Sequence, residues 1–317
     1  GRRALGTLIV SMTHQPSDVL SLIWLSRLAG AASRGVDEQD AAPLPVVPLF
    51  ETIDDLEKAA DMLESLLGIA AYRDYLGASG GKQICMIGYS DSAKDGGYLA
   101  ANWALYQAQR RLGDVALAHD VPLMLFHGRG GALGRGGGPT ARGILSLPPQ
   151  SVRGQLRMTE QGEVLAERYD HPHIAHRHLE QVIWATLLIS AEQPHPDYEQ
   201  WAKRMDQASG AALEHYRALS HQEGFVQYFR QATPIEGIEQ LPIGSRPASR
   251  VGDQSASQPA SLQRLRAISF TFSWIQSRQL INAYYGLGQG FAAAMQDEDS
   301  REQLKQMYDQ WLVFRGM

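Results

Sequence analysis

Residues 121–139 read VPLMLFHGRGGALGRGGGP, an apolar run that breaks into a loop; seven of the fourteen residues from Phe126 to Pro139 are glycine, and the charged side chains there are Arg129 and Arg135. An apolar run feeding directly into glycines reads as a buried strand and the loop at its carboxyl end. Glycines at this density let successive backbone N–H groups turn toward one ligand without Cβ interference, and two guanidiniums add planar, permanently charged forks. The stretch is predicted to be a strand ending in a cradle for an oxyanion. A glycine linker would share the composition, but no buried strand would lead straight into it.

Charge around the loop points the same way. Between Asp120 and Glu160 there is no acidic residue, whereas Arg129, Arg135, Arg142, Arg153 and Arg157 fall inside, in a chain of net charge -5. A one-sign island in an oppositely charged protein concentrates anionic ligands at one place.

Upstream, similar runs recur. LGTLIVSM (5–12) precedes a helical pattern ending near Gly30, LPVVPLF (44–50) precedes the acidic helical DDLEKAADMLESLLG, and KQICMIGYSD (82–91) precedes a helix from about Ala93 through Leu112. A weaker, more polar fifth run, GQLRMTEQGE, covers 154–163. Strands alternating with helices at this spacing predict an α/β fold of parallel βαβ units, either part of a TIM-like β/α barrel or a doubly wound sheet. Both place chemistry at the carboxyl ends of the strands. Glu51, Asp91, His127 and Arg129 each follow or end such a run, so they are predicted to converge on one rim.

The division predicted is a partial barrel of about five strands over 1–175, carrying the metal and phosphate sites, and a mainly helical remainder over 176–317. Within the remainder, a Ser-, Gln- and Pro-rich loop near 242–262 lies among Arg246, Arg250, Arg264 and Arg266. A long amphipathic tail follows it.

Composition bounds the function. With 317 residues, 44% hydrophobic and 20% charged, the chain can bury a substantial core as one large or two smaller domains. No run of about 18 apolar residues offers a membrane span, no leader pattern opens the chain, and cytoplasm is the expected compartment. The acidic balance argues against a general nucleic-acid binder. Cys85, the single cysteine, sits in the apolar QICMIGY and is expected to be a buried inert thiol. The start at Gly1 and a stop inside the helical QLKQMYDQWLVFRGM suggest part of a longer polypeptide.

Glu51 and Asp91 could supply the one or two oxygen ligands that Mg²⁺ or Mn²⁺ takes from protein, or each could cap the helix that follows it. In GYSDSAKDGG (88–97), Lys94 beside an anion loop can neutralise charge developing on a substrate oxygen. It could instead belong to a solvated first turn, although a base is unfavourable there. The Ser90 turn resembles a hydrolase elbow but has Ser92 where the closing glycine belongs, and GASGGKQ lacks the spacing of a Walker loop. Histidines 171, 173, 176 and 178 read as a solvated helix surface.

Taken together, VPLFET (47–52), MIGYSDSAKDGG (86–97), LFHGRGGALGRGGGP (125–139), LRMTEQGE (156–163) and IGSRPASR (243–250) closely resemble the phosphoenolpyruvate carboxylase family, over nearly the whole chain. The resemblance implies a β/α barrel with many extra helices, a cytoplasmic homotetramer, regulation by the inhibitor aspartate, and conversion of phosphoenolpyruvate and bicarbonate to oxaloacetate and phosphate with Mg²⁺ or Mn²⁺. Oxaloacetate would feed the tricarboxylic acid cycle. It implies Glu51 and Asp91 as metal ligands and Lys94 as the active-site lysine. Arg129 matches a phosphate ligand, His127 and Arg135 match loop residues of the carboxylation half-reaction, and Arg246 and Arg266 match further anion contacts.

The family's other catalytic histidine and early barrel strands lie in an N-terminal part absent here, and its last helices are absent too. RAISFTFSWIQSR and NAYYGLG replace the usual RAIPW and PAWLG-like strings around Arg266. The expectation is a piece carrying part of the active site and little or no activity alone. The competing expectations are a non-catalytic relative that binds phosphorylated ligands, against which Glu51, Asp91, Lys94 and His127 argue, and a hydrolase using Ser90.

Overall fold

A computed structural model describes residues 6–32, 43–131, 137–241, 262 and 265–317. Five strands, β1 (Leu8–Val10), β2 (Val46–Phe50), β3 (Gln83–Gly88), β4 (Leu123–Gly128) and β5 (Arg157–Met158), form one parallel sheet in the order β1-β2-β3-β4-β5. Strand order that follows chain order without reversal is the arrangement of a β/α barrel arc; a doubly wound sheet reverses at a switch point. The fold is α/β, and the barrel-like option of the two is the one adopted. β2 is buried along its whole length, as a parallel strand covered on both faces must be. β5, from the more polar run, pairs over two residues.

Between the strands run α1 (Pro16–Ala32), α2 (Ile53–Leu67), α3 (Ala70–Ala78), α4 (Tyr89–Ala118) and α5 (Thr140–Leu145). α2 starts where Thr52 and Asp55 form a reciprocal capping box, each side chain bonded to the other's backbone N–H. α4 begins at Tyr89, earlier than the pattern predicts, and is interrupted at Gly97, whose φ of 76° is left-handed. The break frees the Lys94 carbonyl, which accepts a 2.8 Å hydrogen bond from Tyr216. That phenol belongs to α8 (Tyr198–Ser220).

The remaining helices are α6 (Gly162–Tyr169), α7 (Pro172–Ala191), α9 (Phe225–Ala232), α10 (Ile235–Ile238), α11 (Ala267–Gln276), α12 (Ile281–Tyr284), α13 (Leu287–Ala294), α14 (Glu298–Gln310) and α15 (Leu312–Gly316). The tail is thus several helices, not one. Gly286, at φ 86°, starts α13, and Trp311 leaves the helical register to pack among Trp103, Tyr106, Tyr198 and Trp201. Most of the predicted 242–262 loop lies outside the described residues.

One apolar core joins the sheet to α2, α3 and α4, with Phe50, Leu63, Ile87 and Leu112 at its centre. A second, around Trp103, Trp201, Met205 and Met307, joins α4 to α8 and α14. α4 therefore has one flank in each, which fixes the start of that helix against the sheet. Cys85 lies in the first core, fully buried, and burial pushes its thiol up to about 12. No helix of the described residues is long and apolar enough to cross a membrane.

Candidate active site

Register brings the chemistry-bearing residues to one edge. Phe50 pairs with Ile87, Ile87 with His127, and His127 with Met158, so one row crosses four strands near their carboxyl ends. In the next row Gly88 pairs with Gly128, beside Glu51. A Cβ on Gly88 would lie 3.1 Å from Glu51 Cγ and 3.3 Å from the Phe50 carbonyl oxygen. Glycine is what lets the ends of β2 and β3 approach this closely.

Glu51 is buried and accepts a 2.8 Å hydrogen bond at Oε2 from the Met12 N–H. Met12 holds a left-handed φ of 53°, rare for such a side chain and frequent near functional sites. The cap of α2 is Thr52, so Glu51 is not the helix cap that its position also allowed. Asp91 lies inside the first turn of α4, whose cap position is Gly88. Its carboxylate is about one-fifth exposed and 4.0 Å from Lys94 Nζ.

Lys94 is buried rather than solvated, and Nζ donates to the carbonyls of Leu265 at 2.8 Å and Leu262 at 3.4 Å. This ties the start of α4 to the segment ahead of α11, where Arg266 occupies the cap position. Asp95 accepts from the Ile53 N–H and from Arg217, and so anchors α4 to α2 and α8.

Beside β4 lies a cavity of about 240 Å³ with walls from β4, α4, α5, β5 and the C-terminal residues, lined by His127, Arg129, Tyr89, Tyr98, Arg142 and Gly138 among others. Burial, reinforced by the Arg129 charge, pushes His127 down to about 4. Its Nδ1 is 2.9 Å from the Tyr89 hydroxyl, and its carbonyl accepts from both the N–H and the hydroxyl of Thr159. Burial raises Tyr89 to about 12 against the opposing pull of Arg129. The Arg129 guanidinium lies over Gly143, where a Cβ would come within 2.5 Å of its central carbon. Burial lowers Arg129 from its ordinary value.

His127 and Arg129 thus share a cavity. Glu51, just after β2, and Asp91, in the first turn of α4, do not line it, and Lys94 points toward the carbonyls of Leu262 and Leu265. Arg135 and Arg246 lie outside the described residues. Tyr89, which the motif reading passed over, is the residue that touches His127; its signal was an aromatic at the strand-to-helix junction. Among the described residues no group of three or more His, Cys, Asp or Glu is placed to hold a metal ion. The histidines at the start of α7 serve as a helix cap and as partners of Glu160 and Glu180.

Two oxygen-donor carboxylates suit a hard cation that keeps water or substrate oxygens for its other positions. Glu51 fits that role: it is buried, held from one side by a backbone N–H, and faces a strand end without a side chain.

The family model for phosphoenolpyruvate carboxylase matches residues 1–317. Phosphoenolpyruvate carboxylases of Roseiflexus castenholzii, Chromohalobacter salexigens and Mycobacterium leprae are 43%, 45% and 42% identical over 99%, 99% and 100% of the chain. The chain spans 34% of the length of each of these relatives.

Proposed function

Because the chain belongs to the phosphoenolpyruvate carboxylase family, we propose that it supplies part of a site converting phosphoenolpyruvate and bicarbonate to oxaloacetate and phosphate. The observation that supports this most is the shared carboxyl edge, where Glu51, the junction of β3 with the first turn of α4 at Gly88 to Asp91, His127 and Arg129 lie at successive strand ends. A bicarbonate oxygen attacks phosphorus and the bond to the enol oxygen breaks, giving carboxyphosphate and the enolate of pyruvate. Carboxyphosphate then yields CO₂ and phosphate, and the enolate carbon attacks CO₂.

Glu51 and Asp91 would hold Mg²⁺ or Mn²⁺. When bound, such a cation supplies positive charge beside the oxygen on which negative charge develops. Arg129, with Arg135 and Arg246, would hold the transferred phosphate, for which planar forks are suited. Lys94 keeps the first turns of α4 and the Arg266 segment in one arrangement, so that substrate groups meet fixed donors. His127, buried at the cavity wall, would face the carboxylation step. Homotetramer formation, aspartate inhibition and supply of the tricarboxylic acid cycle belong to the same proposal.

The test is a chimera in which this chain replaces the matching third of the Chromohalobacter salexigens relative. The chimera is expected to form oxaloacetate from phosphoenolpyruvate and bicarbonate, Lys94→Ala within it to lose most of that activity, and the isolated chain to show little or none. A well-folded but inactive chimera, or full activity with Lys94→Ala, would overturn the reading.

A further inference from the structure

Tyr89, the first residue of α4, and His127, near the end of β4, are both buried, with their rings tilted by 41° and the phenol oxygen 2.9 Å from Nδ1. Among the described residues the imidazole nitrogen is the one hydrogen-bond partner of that hydroxyl. Proton accounting decides the direction of the bond. A neutral imidazole carries one N–H and a phenol one O–H. With the ring proton on Nδ1, the phenol oxygen would accept, and the Tyr89 O–H would have no acceptor among the described protein atoms, which disfavours that tautomer for a buried phenol. With the ring proton on Nε2, the O–H donates to Nδ1, and Nε2–H remains for whatever occupies the cavity that His127 lines.

From this geometry we infer that Tyr89 is a positioning residue, whose hydroxyl fixes His127 as the Nε2–H tautomer and makes the ring a hydrogen-bond donor to an anionic oxygen in the cavity. The cavity agrees with such a ligand. Arg129 and Arg142 line it with positive charge, Asn102 adds an amide, and no aspartate or glutamate is among its described lining residues. Donors held in place before charge develops are the arrangement that stabilises an oxyanion most. In this tautomer Nε2 has no lone pair to take a proton, so His127 works by donating and not as a base. The inference rests on the reading of His127 as a site residue and adds to it the residue that orients the ring and the sense of its hydrogen bond.

Two-dimensional NMR of the ¹⁵N-histidine-labelled chain, with His127 assigned by loss of its signals in His127→Gln, reads the tautomer directly. At neutral pH the wild-type ring is expected to show a protonated Nε2 and an acceptor-type Nδ1. Tyr89→Phe is expected to move the Nδ1 resonance and admit the Nδ1–H form. A 3-fluorotyrosine at position 89, which keeps the hydroxyl and strengthens it as a donor, is expected to shift Nδ1 the opposite way and covers the case in which Tyr89→Phe does not fold. A wild-type ring protonated at Nδ1, or Nδ1 resonances indifferent to the residue at 89, would overturn the inference. The spectrum needs no turnover, so its failure is distinct from failure of the chimera to carboxylate.

Discussion

His127 shows what a single side chain contributes. Its imidazole titrates near 6.5 in an unfolded chain and about 4 when buried beside Arg129. Between these values the unfolded chain binds a proton that the folded one refuses, so this contribution is whole above 6.5 and is lost as pH falls toward 4. The loss is on the order of 3 kcal/mol. Urea unfolding of wild type and His127→Gln should therefore give a stability difference that shrinks by about that amount from neutral pH down to pH 4. A difference that stays constant with pH would mean that the ring is not held neutral. The sequence made His127 and Arg129 legible because each ends or follows an apolar run. It could not show Tyr89 as their neighbour, since that contact depends on the lateral register of β3 and β4.

At the scale of an element, α4 is where the reading of the sequence and the structure part. GYSDSAKDGG carries turn-forming residues and no helical period, so the helix was expected from about Ala93; yet the helix starts at Tyr89, and the glycines mark its break. Tertiary bonds account for the difference. Tyr216 caps the carbonyl freed at Lys94, and Asp95 is gripped by Ile53 and Arg217. Without Tyr216 that buried carbonyl would lose its partner, and Tyr216→Phe is expected to cost about 1–3 kcal/mol. In the active chimera it should also lower kcat, because Asp91 and Lys94 ride on the same short segment. Unchanged stability would show that the break at Gly97 is held by something else. The parallel direction of the strands, in contrast, was legible from the alternation of strands and helices, whereas their order, which separates a barrel arc from a doubly wound sheet, was not.

Among the described residues the five-stranded sheet has β1 and β5 at its edges, and the helices around it carry exposed apolar surface. On α7, Ile183, Trp184 and Leu187 are each more than half exposed, as are Trp24 and Leu28 on α1. Such faces bind apolar dyes. The isolated chain is expected to enhance the fluorescence of one, and Ile183→Glu with Leu187→Glu to reduce that signal by a large fraction. No enhancement would mean that these faces are covered in solution. That a partial barrel would leave apolar faces exposed was expected, but nothing in the hydrophobic pattern distinguished an exposed apolar stripe from a buried one, so which helices carry these faces was not legible.

The central claim, that the strand ends hold a divalent cation beside a phosphate cradle, is tested most directly by Mn²⁺ titration of the chain, wild type against Glu51→Gln and Asp91→Asn. Loss of groups that merely orient metal ligands weakens binding by about 10–100-fold, so loss of a ligand itself is expected to weaken it by at least about tenfold in each variant. Equal Mn²⁺ affinity in all three proteins would contradict the account.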